Sequence, residues 1–145
     1  MNRRTRSRAG FTLIEILVVI LVLGVLAALV APNVFQHVGS SKTTAVKSQL
    51  ELIGAALDTY RLDNDDYPSS EQGLAALFRA PIAAPQPRNW RGPYLKKSVP
   101  PDPWGNPYVY RSPGVDPEHA YELLSYGRDG KEGGTGDDAD IRSWD

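Results

Sequence analysis

The densest group of side chains able to do chemistry lies at the end of the chain. Residues 129–145 hold Asp129, Glu132, Asp137, Asp138, Asp140 and Asp145 against Lys131 and Arg142, on a glycine-rich stretch. Carboxylates at that density suit a hard cation with oxygen ligands, calcium above all. The same composition also describes a solvated loop, and Asp129-Gly130 is a common turn pair. Other chemistries find no matching cluster. The absence of cysteine removes disulfides, thiolate nucleophiles and thiolate metal sites. His37 and His119 are the only histidines and lack the spacing of a zinc motif. No Gly-x-Ser-x-Gly and no glycine-rich loop opening a helix is present. The aromatics Trp90, Tyr94, Trp104, Tyr108 and Tyr110 read as packing rather than a ligand cage. An enzyme is not expected.

A second carboxylate, Glu15, stands out by its surroundings. Residues 11–31 are almost wholly apolar, and 16–31 contain no polar side chain. About 20 apolar residues cross a bilayer as a helix, so the segment is long enough if it begins at Phe11. Arg3, Arg4, Arg6 and Arg8 precede it and should stay cytoplasmic, which places the rest of the chain outside the inner membrane. A cleaved secretory signal and an ordinary single-pass anchor both match this pattern. Neither has a use for Glu15, which costs roughly 2.5–3.5 kcal/mol if carried to the centre of a span.

The remaining elements must position these two regions. Val46, Leu50, Ile53, Leu57 and Tyr60 form one apolar stripe, with Lys47, Ser48, Glu51, Asp58 and Arg61 opposite. One long helix is therefore expected from about residue 11 to about residue 62. Its first half sits in lipid or among partner helices, and its second half packs on a small domain. Pro32 should bend or locally melt it, and residues 63–66 with Pro68 should end it. Ser69 and Gln72 resemble a capping box opening a short helix through Phe78. Residues 80–107 are proline-rich and should be irregular. Residues 108–111 and 121–125 look like short strands, which gives an α+β fold class. The chain has 145 residues and a formal net charge of −1. Without the four leader arginines, 12 basic residues face 17 acidic ones, a net of −5. An acidic body argues against nucleic-acid binding.

The junction Arg8-Ala9-Gly10-Phe11-Thr12-Leu13-Ile14-Glu15 resembles the processing signal of type IV prepilins. In that family a short basic leader ends in glycine, a membrane peptidase cuts after it, and the new terminal Phe is N-methylated. Five body stretches resemble the major pseudopilin of type II secretion. They are Tyr60-Arg61-Leu62-Asp63-Asn64, Tyr67-Pro68, Glu71-Gln72-Gly73-Leu74, Asp102-Pro103-Trp104-Gly105, and Asp138-Ala139-Asp140-Ile141 with Trp144. The resemblance covers nearly the whole chain from Gly10 onward, and the departures fall around residues 80–88 and 112–119.

The resemblance implies a type IV pilin-like fold and three parts: a cleaved leader over 1–10, a transmembrane and filament-core helix over 11–35, and a periplasmic domain over 36–145. It implies cleavage between Gly10 and Phe11, and a use for Glu15 against the new ammonium group four residues away. It implies calcium in a loop over 126–141, held by the Tyr126 carbonyl, Asp129, Asp140 and a ligand near Asp138. An aspartate in some relatives is Ala139 here, which weakens the assignment of Asp138. The implied role is a structural subunit polymerising into the pseudopilus that exports folded proteins. The implied partners are further copies, minor pseudopilins, the prepilin peptidase and an inner-membrane assembly platform. A type IV pilin or minor pseudopilin is the alternative within the superfamily, although pilins often carry a disulfide this chain cannot form. A membrane-tethered periplasmic enzyme is the alternative from another class.

Overall fold

The structure, a computed structural model, describes residues 10–145, and for residues 29–38 the backbone alone. The leader arginines, His37 and the Pro32 ring therefore lie outside the described residues. The chain divides into two compact units between Val38 and Gly39. One helix, α1 (Leu13–Asn64), contributes to both. It is unbroken at position 32, against the expectation of local melting there.

In the first unit, α1 starts from a cap that was not among the sequence expectations. Thr12 Oγ1 accepts the Glu15 N–H at 3.3 Å, and the Thr12 carbonyl accepts the Glu15 and Ile16 N–H groups. Thr12-Leu13-Ile14-Glu15 is the Thr-x-x-Glu pattern of a helix start, and it sets a carboxylate where the helix dipole favours one. Beyond the cap, every described side chain through residue 28 is exposed, including Leu13 at 84% and Leu21 at 62%. An apolar surface of that extent needs lipid or another protein over it. Among the described residues, no helix is long and apolar enough to cross a membrane; residues 29–31 of the expected span lack described side chains.

The second unit is built on the other end of α1. The expected stripe is its core: Val46, Leu50, Ile53, Leu57 and Tyr60 are all at most 2% exposed, while Lys47, Ser48, Glu51, Asp58 and Arg61 face outward. Burying one such Leu or Ile stabilises the fold by about 1.5–3 kcal/mol. The helix stops because Asp65 turns left-handed (φ 72°) and returns its N–H to the Arg61 carbonyl at 2.8 Å.

Ser69 and Gln72 close the expected reciprocal box: the Gln72 N–H reaches Ser69 Oγ at 3.2 Å, and the Ser69 N–H reaches Gln72 Oε1 at 2.9 Å. The box leads into a 3₁₀ helix, Leu74–Leu77, not the longer helix expected through Phe78. Gly73, at φ 59°, breaks the helical path immediately after the box. Gln72 also donates through Nε2 to the carbonyls of Ala83 (2.9 Å) and Pro85 (2.6 Å), fastening the proline-rich stretch beside it.

The sheet is antiparallel, in the order β1 (Val109–Arg111), β2 (Glu122–Ser125), β3 (Ile141–Arg142). Val109 pairs with Leu124 and Arg111 with Glu122; Ser125 pairs with Ile141. Leu123 and Ile141 join the helix stripe, Ala76 and Leu77 in one core. The fold is thus α+β, a long helix with a small loop-rich domain and a short antiparallel sheet. β3 was not expected, since two residues among glycines and aspartates carry no alternating signal.

Candidate functional site

Two regions hold the residues marked out by the sequence. The first is the start of α1. Gly10, Phe11 and Thr12 precede the helix without regular structure, and Gly10 is exposed with open space around the position a Cβ would take. Phe11 is 80% exposed. The Gly10–Phe11 peptide bond is therefore an accessible, non-helical bond two residues before a helix, a geometry a protease can enter. Glu15 is exposed in the first turn of that helix.

The second region is the loop between β2 and β3. It starts from a buried polar node that the sequence did not single out. Asp102, 4% exposed, accepts the Trp104 and Asn106 N–H groups through Oδ1 (3.0 and 2.9 Å) and the Ser125 hydroxyl through Oδ2 at 2.6 Å. Ser125 Oγ in turn accepts the Gly127 N–H at 3.2 Å. Asn106 completes the link, donating from Nδ2 to the Gly127 carbonyl at 2.8 Å. The available signal was Asp102-Pro103-Trp104-Gly105, in which an aspartate accepts backbone amides two to four residues on, as in an Asx turn. The same segment packs on α1: Tyr108 OH donates to Gln49 Oε1, and Lys42 lies 5.8 Å from the Trp104 ring centre. Burial lifts the Tyr108 phenol to about 12.

From that node the loop doubles back on itself. Gly127 is buried at φ 67°, and a Cβ there would lie 2.7 Å from the Asp137 carbonyl oxygen and 2.8 Å from that of Ala139. Only glycine permits this approach at this backbone angle. The Arg128 N–H donates to the Asp137 carbonyl at 2.8 Å. Asp129 Oδ1 accepts the Lys131 N–H at 3.0 Å, and Asp140 Oδ1 accepts the Gly133 N–H, also at 3.0 Å. Asp140 Oδ2 lies 3.4 Å from the Arg142 guanidinium. Both oxygens of Asp138 accept from Arg128, at 2.9 Å each.

The expected ligands thus share one loop, but the carboxylates of Asp129, Asp138 and Asp140 do not gather at one point. Among the described residues, no three His, Cys, Asp or Glu side chains are gathered closely enough to hold a metal ion. The donor chemistry fits calcium at Asp129, Asp140 and the Tyr126 carbonyl, which offer hard oxygens. It fits less well at Asp138, whose two carboxylate oxygens are both engaged by Arg128, whereas Asp140 meets Arg142 through Oδ2 alone. His119 stacks on Trp144, with ring centres 4.2 Å apart, and its Nδ1 lies 3.6 Å from Asp116. The aromatics expected to pack do so: Tyr60 meets Tyr94 edge-on at 5.4 Å, Trp90 meets Tyr94 at 5.9 Å, and Trp90 Nε1 donates to the Ala76 carbonyl.

Comparison with known proteins bears on both regions. Residues 33–144 match the family model of the type II secretion system (T2SS), protein G. Residues 5–31 match that of the prokaryotic N-terminal methylation motif. The type II secretion system core protein G of Pseudomonas aeruginosa is 53% identical, over 100% of this chain and 99% of that protein. That of Aeromonas hydrophila is 46% identical over 96% of this chain and 94% of its own length. The crystal structure of the major pseudopilin from the type 2 secretion system of enterohaemorrhagic Escherichia coli superposes with a TM-score of 0.66 at 38% identity, covering 78% of this chain and 95% of that one.

Proposed function

The chain belongs to the type II secretion system protein G family and is a structural subunit of the pseudopilus, and from that premise we propose how its residues serve assembly. The chain is made as a precursor, and the prepilin peptidase cuts between Gly10 and Phe11. Phe11 becomes the terminus and is N-methylated. The match of residues 5–31 to a methylation motif supports this step, as does the open Gly10–Phe11 bond. Before assembly, the helix over 11–35 holds the subunit in the inner membrane as a single pass, with its carboxyl-terminal domain in the periplasm.

The observation that carries the reading is the exposure of the apolar face of α1 together with Glu15. Removed from lipid, that face must be covered by the same face of other copies, through van der Waals packing of closely approaching helices. Gly24, Ala27 and Ala28 are small enough for such approach. The Phe11 ammonium, created only by cleavage, pairs with Glu15 of the same or a neighbouring copy. The pairing offsets desolvation of both charges and sets the register between subunits. The filament grows from an inner-membrane assembly platform, is joined by minor pseudopilins, and drives folded proteins across the outer membrane. The role is structural, with no catalytic step.

Calcium belongs to the same proposal. The Tyr126 carbonyl, Asp129 and Asp140 would hold it; Asp138, expected from the sequence as a further ligand, has both oxygens engaged by Arg128. The ion would supply positive charge to a loop of crowded carboxylates and so favour its ordered form.

The test of processing is the amino terminus of the membrane-extracted protein, read by mass spectrometry. A methylated chain starting at Phe11 is expected. A chain starting at Met1 or near Ala28 would overturn the reading.

A further inference from the structure

The acidic loop contains a cation of its own. Arg128 presents a planar fork to Asp138, with Nε on Oδ1 and Nη2 on Oδ2, each at 2.9 Å. Its Nη1 lies 3.7 Å from Asp137 Oδ2. Its backbone N–H meets the Asp137 carbonyl at 2.8 Å. Isolated exposed ion pairs contribute little, but a bidentate fork within a network is the exception. Here the fork is anchored at both ends. Arg128 follows the buried Gly127, which Asn106 and Ser125 hold by its carbonyl and its N–H. Asp138 ends a 3₁₀ turn, Gly136–Asp138, closed by its N–H on the Thr135 carbonyl at 3.2 Å.

We propose that Arg128 is the positioning residue of the loop: its guanidinium fastens the turn at residues 136–138 to the segment at 127–128 without any metal ion, and so removes the Asp138 carboxylate from the set open to calcium. The first half of this assignment stands apart from the calcium reading, while the second half rests on it. The consequence is a loop with two fasteners. The fork closes its base near Gly127, and a cation at Asp129 and Asp140 would order the remainder. A lysine at 128 would keep the charge and lose the fork, because an ammonium cannot bond both carboxylate oxygens in one plane.

The experiment uses the full chain in detergent micelles, as wild type, Arg128→Gln, Arg128→Lys, Asp138→Asn and the Arg128→Gln/Asp138→Asn double variant. Amide hydrogen exchange is followed first in chelator. The amides of Arg128 and Asp138 should exchange roughly five- to tenfold faster in each Gln or Asn single variant. The double variant should be no worse than Arg128→Gln, since the fork is already lost in that single variant. Arg128→Lys should fall between. Unchanged exchange in Arg128→Gln, or additive effects in the double variant, would overturn the fastening role. Calcium is then titrated as its chloride, with binding read by calorimetry. Asp138→Asn should bind like wild type, and Asp129→Asn should bind at least about tenfold more weakly. Equal losses in these two would overturn the removal of Asp138 from the ligand set. Absence of binding to wild type would sink the calcium proposal alone, and the exchange arm would still decide the role of Arg128.

Discussion

The Ser125 hydroxyl donates to Asp102 at 2.6 Å, and both residues are all but inaccessible to solvent, at 0% and 4% exposure. This bond joins β2 to the turn at residues 102–106, and through Gly127 it sets where the acidic loop begins. Ser125→Ala leaves one buried carboxylate oxygen without that donor and should cost about 1–3 kcal/mol. Asp102→Ala strands the Ser125 hydroxyl and two backbone N–H groups and should cost more. Denaturant unfolding of the full chain in detergent reads both. A near-neutral Asp102→Ala would refute the node.

Two leucines two residues apart on α1 should respond very differently to truncation. Leu50 is 1% exposed and Leu52 is 63% exposed. Leu50→Ala should destabilise by about 2–5 kcal/mol through lost burial and a residual cavity. Leu52→Ala should shift stability by no more than about 0.5 kcal/mol. The same denaturant series measures both.

Alkaline pH should unfold the domain through its tyrosines. Burial raises Tyr121 and Tyr108 to about 12, raises Tyr110 further still, and raises Tyr60. The unfolded chain ionises its phenols near 10. Above that pH the unfolded state has lost protons that the folded state keeps, so stability falls as pH rises. Stability should therefore be insensitive to these groups below about pH 10 and drop between about 10 and 12. Spectrophotometric titration should show tyrosinate appearing with unfolding. Free titration of all phenols near 10 in a folded chain would refute the burial assigned to them.

Glu15 has two possible roles, and one pair of variants separates them. Glu15→Ala should block assembly while leaving the domain folded, and membrane insertion should survive. Glu15→Gln keeps the size and the cap position but not the charge. If the charge pairs with the Phe11 ammonium, Glu15→Gln should fail as completely as Glu15→Ala in a secretion assay. Normal export by Glu15→Gln would reduce Glu15 to a helix-start residue, worth about 0.3–1 kcal/mol through the dipole.

What could be read from the sequence was whatever repeats with a period or carries a local bond. The stripe from Val46 to Tyr60 is buried residue by residue, because helical spacing alone selects the core face. The Ser69–Gln72 box closed as its spacing required. The Gly73 conformation that shortens the next helix has no periodic signal. β3 depends on Ser125 and Leu124 arriving beside it, a contact made across the loop. The site divides in the same way. Gly10, Phe11 and Glu15 could be singled out because their signal is contiguous, within the residues 5–31 that match the methylation motif. In the acidic loop the carboxylates were visible, but their partners were not. Arg128 lies ten residues from Asp138, and Asn106 lies 21 residues from Gly127. Only the fold brings either pair together.

If this chain polymerises through the apolar face of α1, the filament itself should be visible. Electron microscopy of material sheared from cells that overproduce the full chain together with a prepilin peptidase and an inner-membrane assembly platform decides the matter. Thin helical filaments composed of the processed chain are expected, with the helices of α1 packed together at the centre. Processed chain recovered only as membrane-bound monomers, with no filament from any preparation, would refute polymerisation through that face.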